Sequence, residues 1–320
     1  MIVSDIEIKS YKPTINDPKY AHLLPKLVPE HIRFVLSNTD NAFSNALRRT
    51  ISSEVPVLAM YVEQENIVST DEFNIAAVIS SRFKMVPLVQ SCPHDAVFTL
   101  SAENTTMETR DVKSGEIKLN GKGNLKWFDN NITMFTLMPG KRATITNIRV
   151  GTFRAIDKGD GACVVAVNAA SVVLDVVPIN HYNVDEAGEP IGVPSREAYP
   201  RKYAISYTTN GTMPPLDIAR MACDNIISRI NHCKTIPVQT SGDNHILYIV
   251  GETHTIGNLL MRAILTNFPD IPSVVYKRVY TEIACIVDVT YNGDINDVFE
   301  TATDYIIESF KQIKDGLIEP

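Results

Sequence analysis

Residues 41 to 56 read NAFSNALRRTISSEVP, and on a helix Asn45, Arg48 and Arg49 fall at i, i+3 and i+4 of one face. Two adjacent guanidinium forks beside an amide suit recognition: each fork can pair bidentately with a carboxylate or a pair of backbone carbonyls. Residues 254 to 269, HTIGNLLMRAILTNFP, place Asn258, Met261 and Arg262 at the matching positions. A charged outer face is ordinarily just solvated. Here the asparagine and one arginine recur while the other arginine becomes Met261, which argues that the two faces meet unlike neighbours.

Nothing in the chain assembles into a catalytic group. The seven histidines are dispersed, and no P-loop, GxSxG or HExxH pattern is present. His254 reads as capping or packing at a helix start. Cys92 and His94 form a single C-P-H pair with no second pair nearby, so no zinc and no other cofactor is expected. The glycines of GKGN and DKGDG read as hairpin turns, and Asp157 and Asp160 as solvated turn carboxylates.

The elements that must position the arginines are written twice. IRFVL (32–36) precedes the first arginine helix and HILYIV (245–250) the second, so each copy reads as strand then helix. Phe43, Leu47, Ile51 and Val55 recur every fourth residue behind an Asp40 N-cap, and Pro56 stops the pattern. Ile256, Leu260, Ile264 and Phe268 repeat it before Pro269. A second matched pair follows, DNIISRINHCK (224–234) with DYIIESFKQIK (304–314), each preceded by a strand ending in Asn-Gly. The offset between copies shortens from the first pair to the second, so the first unit carries an insertion.

The expected organisation is α+β: residues 1–57 open the first unit, 58–178 form a mostly β inserted domain, 179–240 return through a long surface loop to complete the unit, and 241–320 form the second. Ser241 to Asn244 is the linker. One apolar stripe runs through Ile218, Ala222, Ile226 and Ile230, another through Val298, Ala302, Tyr305, Ile306, Phe310 and Ile313. Packing the units face to face about a pseudo-twofold axis would bury both in one helical core. The alternative is that each stripe covers only its own sheet.

Composition narrows the function classes. A 320-residue chain with 44% hydrophobic and 21% charged residues fits two or three globular domains. No apolar run reaches the roughly 20 residues of a membrane span, and the start lacks a signal-peptide pattern, so an intracellular protein without membrane contact is expected. Five scattered cysteines without a CxxC fit reduced, buried thiols; N-x-T sequences at Asn104, Asn131 and Asn210 are then unused. A net charge of −7 argues against broad coverage of nucleic acid.

FVLSNTDNAFSNALRRTISSEVP resembles the signature of the bacterial RNA polymerase alpha amino-terminal domain and, more closely, the third subunit of RNA polymerase II. GETHTIGNLLMRAILTNFPDIPSVVY is similar to the eleventh subunit. DEF (71–73) and SRFKMVPLV (81–89) resemble the motif of the inserted domain, with Ser81 in place of a histidine and Lys84 in place of a glycine. Only Cys92 and His94 stand where the cellular third subunit often carries a zinc-binding cysteine cluster, and RVGTFRAIDK (149–158) lacks the lysine and histidine pattern of the family loop.

The resemblance implies two alpha-type dimerisation units fused in one polypeptide, as in the polymerases of large DNA viruses. It implies a noncatalytic assembly platform in the host cytoplasm or the virion, or in the nucleus. Asn45, Arg48 and Arg49 would face the second-largest polymerase subunit, and His254, Gly257, Asn258 and Arg262 the largest. Small polymerase subunits would also bind, DNA would be met only through the complex, and no homodimer is expected. Phe43, Leu47, Ile51, Ile256, Leu260, Ile264, Ile226, Ile230, Ile306 and Phe310 would form the intramolecular dimer core. The competing classes are an autonomous enzyme with its site in the insertion or the long loop, and a DNA-binding transcription factor acting alone.

Overall fold

A computed structural model describes residues 1–10, 27–119, 121–123, 125–155, 165–174 and 202–319. The chain begins with β1 (Ile2–Ser10), β2 (Glu30–Ser37) and helix α1 (Asn41–Ser53). Asp40 caps α1 as expected, its carboxylate accepting from the backbone N–H groups of Ala42 at 2.8 Å and Phe43 at 3.2 Å. The insertion then runs through β3 (Val57–Tyr61), β4 (Ile67–Ser69), α2 (Ala76–Phe83), β5 (Pro87–Leu88), β6 (Val97–Glu103), β7 (Arg110–Lys113), β8 (Lys118–Leu119), β9 (Thr133–Leu137) and β10 (Arg142–Phe153). The first unit resumes with β11 (Val167–Leu174), β12 (Lys202–Thr209) and α3 (Pro215–Cys233). The second comprises β13 (Gln239–Ser241), β14 (Asn244–Val250), α4 (His254–Asn267), β15 (Ser273–Val279), β16 (Ala284–Thr290) and α5 (Ile295–Gly316).

Two four-stranded antiparallel sheets share one plan. The first is ordered β1-β2-β12-β11 and the second β13-β14-β16-β15. In each, the strand before the arginine helix pairs with the strand before the long helix. A separate sheet ordered β5-β3-β10-β6-β8, with β4 also on β10, and the β7–β9 ribbon build the insertion.

The boundaries differ from the expected ones. Val167–Leu174 pairs with β12 in the first unit's sheet, so the inserted fold ends near Phe153 and the stretch assigned to it up to 178 is divided. A continuous apolar run such as VVAVNAASVVL shows a buried strand but not which sheet owns it. Gln239–Ser241, placed at the end of the first unit, pairs with β14, and the expected linker is the tip of that hairpin. Three exposed residues give too little periodicity to reveal such a strand. The return loop at 179–200, Cys163, Asp157 and Asp160 lie outside the described residues.

The helices of both units meet in one core. α1 packs on α3 and α4, and α5 on α3 and α4. Phe43, Leu47, Ile51, Ile226, Ile230, Ile256, Leu260, Ile264, Ile306 and Phe310 all lie in a single apolar cluster, each at most 1% exposed. Burying each such side chain contributes about 1.5–3 kcal/mol. The Phe43 ring stacks on Phe310 at 5.7 Å and meets Tyr305 edge-on at 5.7 Å, so the first unit's arginine helix is keyed into the second unit's terminal helix. The stripes of α3 and α5 therefore cover each other, and α5 also packs on β1 of the first unit's sheet. The insertion has its own core around Phe83, Phe98, Phe128 and Ile145.

Candidate docking surface at the α1 and α4 crossing

Repetition of the helix produces repetition of its contacts. Arg49 on α1 donates from Nε to the hydroxyl of Thr255 in the first turn of α4, at 3.0 Å. Arg262, its counterpart on α4, donates from Nε to the Asp40 carboxylate at the start of α1, at 2.7 Å. Each arginine thus reaches the N-terminal turn of the opposite helix and donates there to a side-chain oxygen. The long helices do the same. Lys314 pairs with Asp224 at 2.7 Å and Lys234 pairs with Asp304, so Asp and Lys at matching positions of α3 and α5 cross over. The lysine–aspartate crossings are reciprocal, i to j and j to i, which is the signature of a self-complementary interface.

Between α1 and α4 lies a small cleft of about 150 Å³, lined in part by Asn45, Arg49, His254, Asn258 and Tyr276. Four of the seven predicted interface residues converge there. His254 opens α4, its Nδ1 2.6 Å from the Tyr276 hydroxyl and its ring edge-on to that ring; it packs, and Thr253 occupies the cap position. Arg48 stands beside the cleft and binds only the Asn45 side-chain oxygen, at 3.1 Å from Nε and 3.0 Å from Nη2. It has no carboxylate partner among the described residues. Burial and then the neighbouring Arg49 charge lower its pKa. Its counterpart Met261 instead packs on the apolar core.

Gly257 does not belong to this surface. It is buried against its own sheet, where an added Cβ would stand 2.8 Å from the Tyr276 ring and 3.3 Å from the Cys285 sulfur. The missing side chain lets α4 approach β15 and β16 closely, which a helical-face reading from sequence does not distinguish from exposure.

The interface also contains residues that the sequence reading did not single out. Arg229 of α3 is enclosed between Glu54, which ends α1, and Glu252, which precedes α4. It pairs with both, its Nε 2.8 Å from a Glu252 oxygen. The three side chains are only 16%, 3% and 9% exposed. Burial alone would lower the Arg229 pKa, but the Glu252 hydrogen bond and the Glu54 charge raise it. No spacing rule flags this triad.

Elsewhere the picture is structural. Cys92, Cys223, Cys233 and Cys285 are free and buried, and burial pushes the Cys92 thiol up to about 11 and those of Cys233 and Cys285 to about 12. Among the described residues no group of three or more His, Cys, Asp or Glu side chains is placed to hold a metal, and His94 is exposed. No helix among them is long and apolar enough to cross a membrane. In the insertion, Asp71 is buried and accepts from the Phe73 and Met138 N–H groups, closing the DEF turn, and Arg82 donates to the carbonyls of Met134 and Thr133. Gly121 turns with φ +77°, in a hairpin closed by mutual Leu119 and Lys122 backbone bonds.

Comparison with known proteins agrees with this geometry. Residues 33–230 match the RNA polymerase Rpb3/Rpb11 dimerisation domain family. The chain is 24% identical over 326 residues to the DNA-directed RNA polymerase RPB3-11 homolog of African swine fever virus (isolate Tick/Malawi/Lil 20-1/1983), a match covering 92% of this chain and 89% of that protein. It is 33% identical over 129 residues to DNA-directed RNA polymerase subunit Rpo3 of Thermococcus kodakarensis, covering 36% of this chain and 46% of that one. It is 34% identical over 96 residues to DNA-directed RNA polymerase II subunit rpb3 of Dictyostelium discoideum, covering 29% and 30%.

Proposed function

This chain belongs to the RNA polymerase Rpb3/Rpb11 dimerisation domain family, and on that premise we propose that it is the assembly platform of a multisubunit DNA-dependent RNA polymerase. It is a fused subunit of that complex, a component of the polymerase that supplies no reacting group of its own. The likeness to the viral homolog over nearly the whole of both chains supports the fusion, as do the two sheets of one plan joined by a single core. The fused arrangement makes the pairing intramolecular, so the docking surface is complete in one copy and needs no homodimer.

In this reading α1 presents Asn45, Arg48 and Arg49 to the second-largest subunit, and α4 presents His254, Asn258 and Arg262 to the largest. Small polymerase subunits complete the assembly, and DNA is contacted through it. The site of action is a large DNA virus's host cytoplasm or particle. The observation that carries the reading is Arg48: a half-buried guanidinium, held in place by Asn45, with no carboxylate among the described residues. A partly buried arginine with spare donors is what a partner carboxylate or carbonyl pair would complete.

The test is charge reversal. Arg49 also holds Thr255, so Arg48→Glu alone is the discriminating change and the double change at Arg48 and Arg49 the stronger one. The Arg48→Glu chain is expected to stay folded, with the melting temperature of the native chain, yet fail to recover the two large subunits in a pulldown from cells making the whole complex. Recovery at native yield would count against the reading.

A further inference from the structure

The two units offer the same place twice, and only one copy is filled. In the first unit's sheet the edge strand β1 runs along the whole of β2, from Ile2 opposite Ser37 to Ser10 opposite Glu30. Its counterpart in the second sheet, β13, has three residues. Gln239, Thr240 and Ser241 face Ile246, His245 and Asn244. By the correspondence that matches Arg49 with Arg262, these are the equivalents of the β2 residues that face Glu7, Ile8 and Lys9. The half of β1 that pairs with Val35 to Ser37 has no equivalent among the described residues, so β14 is open along one edge from Tyr248 to Val250.

The open edge carries unpaired backbone groups. Just past β14 the Gly251 N–H bonds to the Ile283 carbonyl on the β16 side. Successive residues of a strand direct their backbone groups to opposite sides, so Tyr248 and Val250 turn theirs away from β16. Beneath the edge is a cavity of about 440 Å³, lined in part by Ile236, Pro237, Val238, Leu247, Phe299 and Glu300. In the first unit the matching place is closed. Gly316, the counterpart of Ile236, lies so near β1 that an added Cβ would stand 3.0 Å from the Val3 side chain. Leu317, the counterpart of Pro237, is 1% exposed. Arg220, the counterpart of Glu300, donates to the Leu317 carbonyl at 2.6 Å. Glu300 is exposed and forms no ion pair among the described residues, while Lys234 in the same lining is paired with Asp304.

We propose that this edge and cavity form a docking groove for an extended segment of a partner protein. The segment adds to the sheet beside Tyr248 and Val250, sets an aliphatic side chain into the cavity and brings a lysine or arginine to Glu300. β1 shows what such an edge accepts, because its Val3 and Ile6 pack against the shared core along the first sheet. The groove is separate from the α1 and α4 crossing, so the proposal does not depend on what Arg48 meets.

The test compares the full chain alone with the chain in the assembly that copurifies with it, by hydrogen exchange resolved to single amides. The Tyr248 and Val250 amides should exchange about tenfold or more slowly in the assembly, while those of Leu247 and Ile249, directed to β16, stay protected in both. Photo-crosslinking from position 238 should capture one segment with aliphatic residues at alternate positions and a basic residue beside them. Val250→Pro removes the edge donor without touching the β16 side, and should abolish the protection at Tyr248. Glu300→Lys, at an exposed position, keeps the native melting temperature and should reduce that protection, which preserves the test if the proline disturbs the strand. These readouts are local to the groove, so they fail or succeed separately from subunit recovery by the Arg48→Glu chain. The proposal is overturned if the two amides exchange as fast in the assembly as in the free chain, or if they are already slow in the free chain because it covers its own edge. It is equally overturned if the captured segment lacks alternating aliphatic residues, or if both variants retain full protection.

Discussion

The Arg262 guanidinium on α4 lies 2.7 Å from the Asp40 carboxylate that caps α1, so a residue starting one helix is held by the helix of the opposite half. Asp40→Ala removes both the cap and this contact, and should cost about 1–2 kcal/mol. Arg262→Ala should cost less than about 1 kcal/mol, because its side chain is 44% exposed and water screens the pair. A double-mutant cycle on urea unfolding should give a coupling of about 0.5–1 kcal/mol. Zero coupling would mean that the cap acts alone.

Arg229 is expected to matter far more than the lysines of the outer pairs. Arg229→Met leaves Glu54 and Glu252 buried side by side, and should cost about 3–5 kcal/mol at neutral pH. Lys314→Ala breaks a pair whose side chains are 38% and 54% exposed, and should cost under about 1 kcal/mol. Both are read from chemical denaturation at pH 7. Equal losses would show that enclosure of the triad has no energetic consequence.

Gly257→Ala sets two effects against each other. Alanine favours the helix by about 1 kcal/mol over glycine. The new Cβ would meet the base of the Tyr276 ring and the Cys285 sulfur, which sit in packed positions and cannot swing away cheaply. Overpacking of this kind costs about 1–3 kcal/mol, so a net loss of about 1 kcal/mol is expected from thermal unfolding. A stabilised variant would show that α4 can lift from its sheet without penalty.

The arginine helices were legible because an N-cap, an apolar residue every fourth position and a closing proline agree over Asp40 to Pro56 and again up to Pro269. The shared core was legible because the stripes of α3 and α5 are too apolar to be left in water. The direction of the polar face was not. Arg49 and Arg262 share a helical position that periodicity assigns to solvent, yet each turns to the opposite helix, since a crossing brings some outward positions inward. Gly257 shows the converse, because a residue without a side chain carries no hydrophobic signal of burial. Glu54, Arg229 and Glu252 were invisible for a related reason: charged residues at apolar boundaries read as surface until a partner from a distant segment encloses them.

Asp71 makes the acid stability of the inserted domain testable. Burial pushes its pKa up, but the backbone N–H bonds from Met138 and Phe73 outweigh that and hold it below the ordinary carboxylate value. A carboxyl with a depressed folded-state pKa contributes stability that is complete above the unfolded value of about 3.9 and is lost as pH falls through the lower folded value. The inserted domain should therefore weaken as the medium is acidified below about pH 4. Asp71→Asn cannot ionise, so it should flatten that slope while costing about 1–2 kcal/mol at pH 7, where one amide group no longer matches two N–H donors. The sole tryptophan, Trp127, packs beside Phe98 in this domain, with ring centroids 6.2 Å apart, and its fluorescence reports the unfolding directly. Urea midpoints followed through Trp127 from neutral to acid pH should converge for the native and Asp71→Asn chains as the solution becomes more acidic. Parallel curves would place the acid sensitivity on another carboxylate.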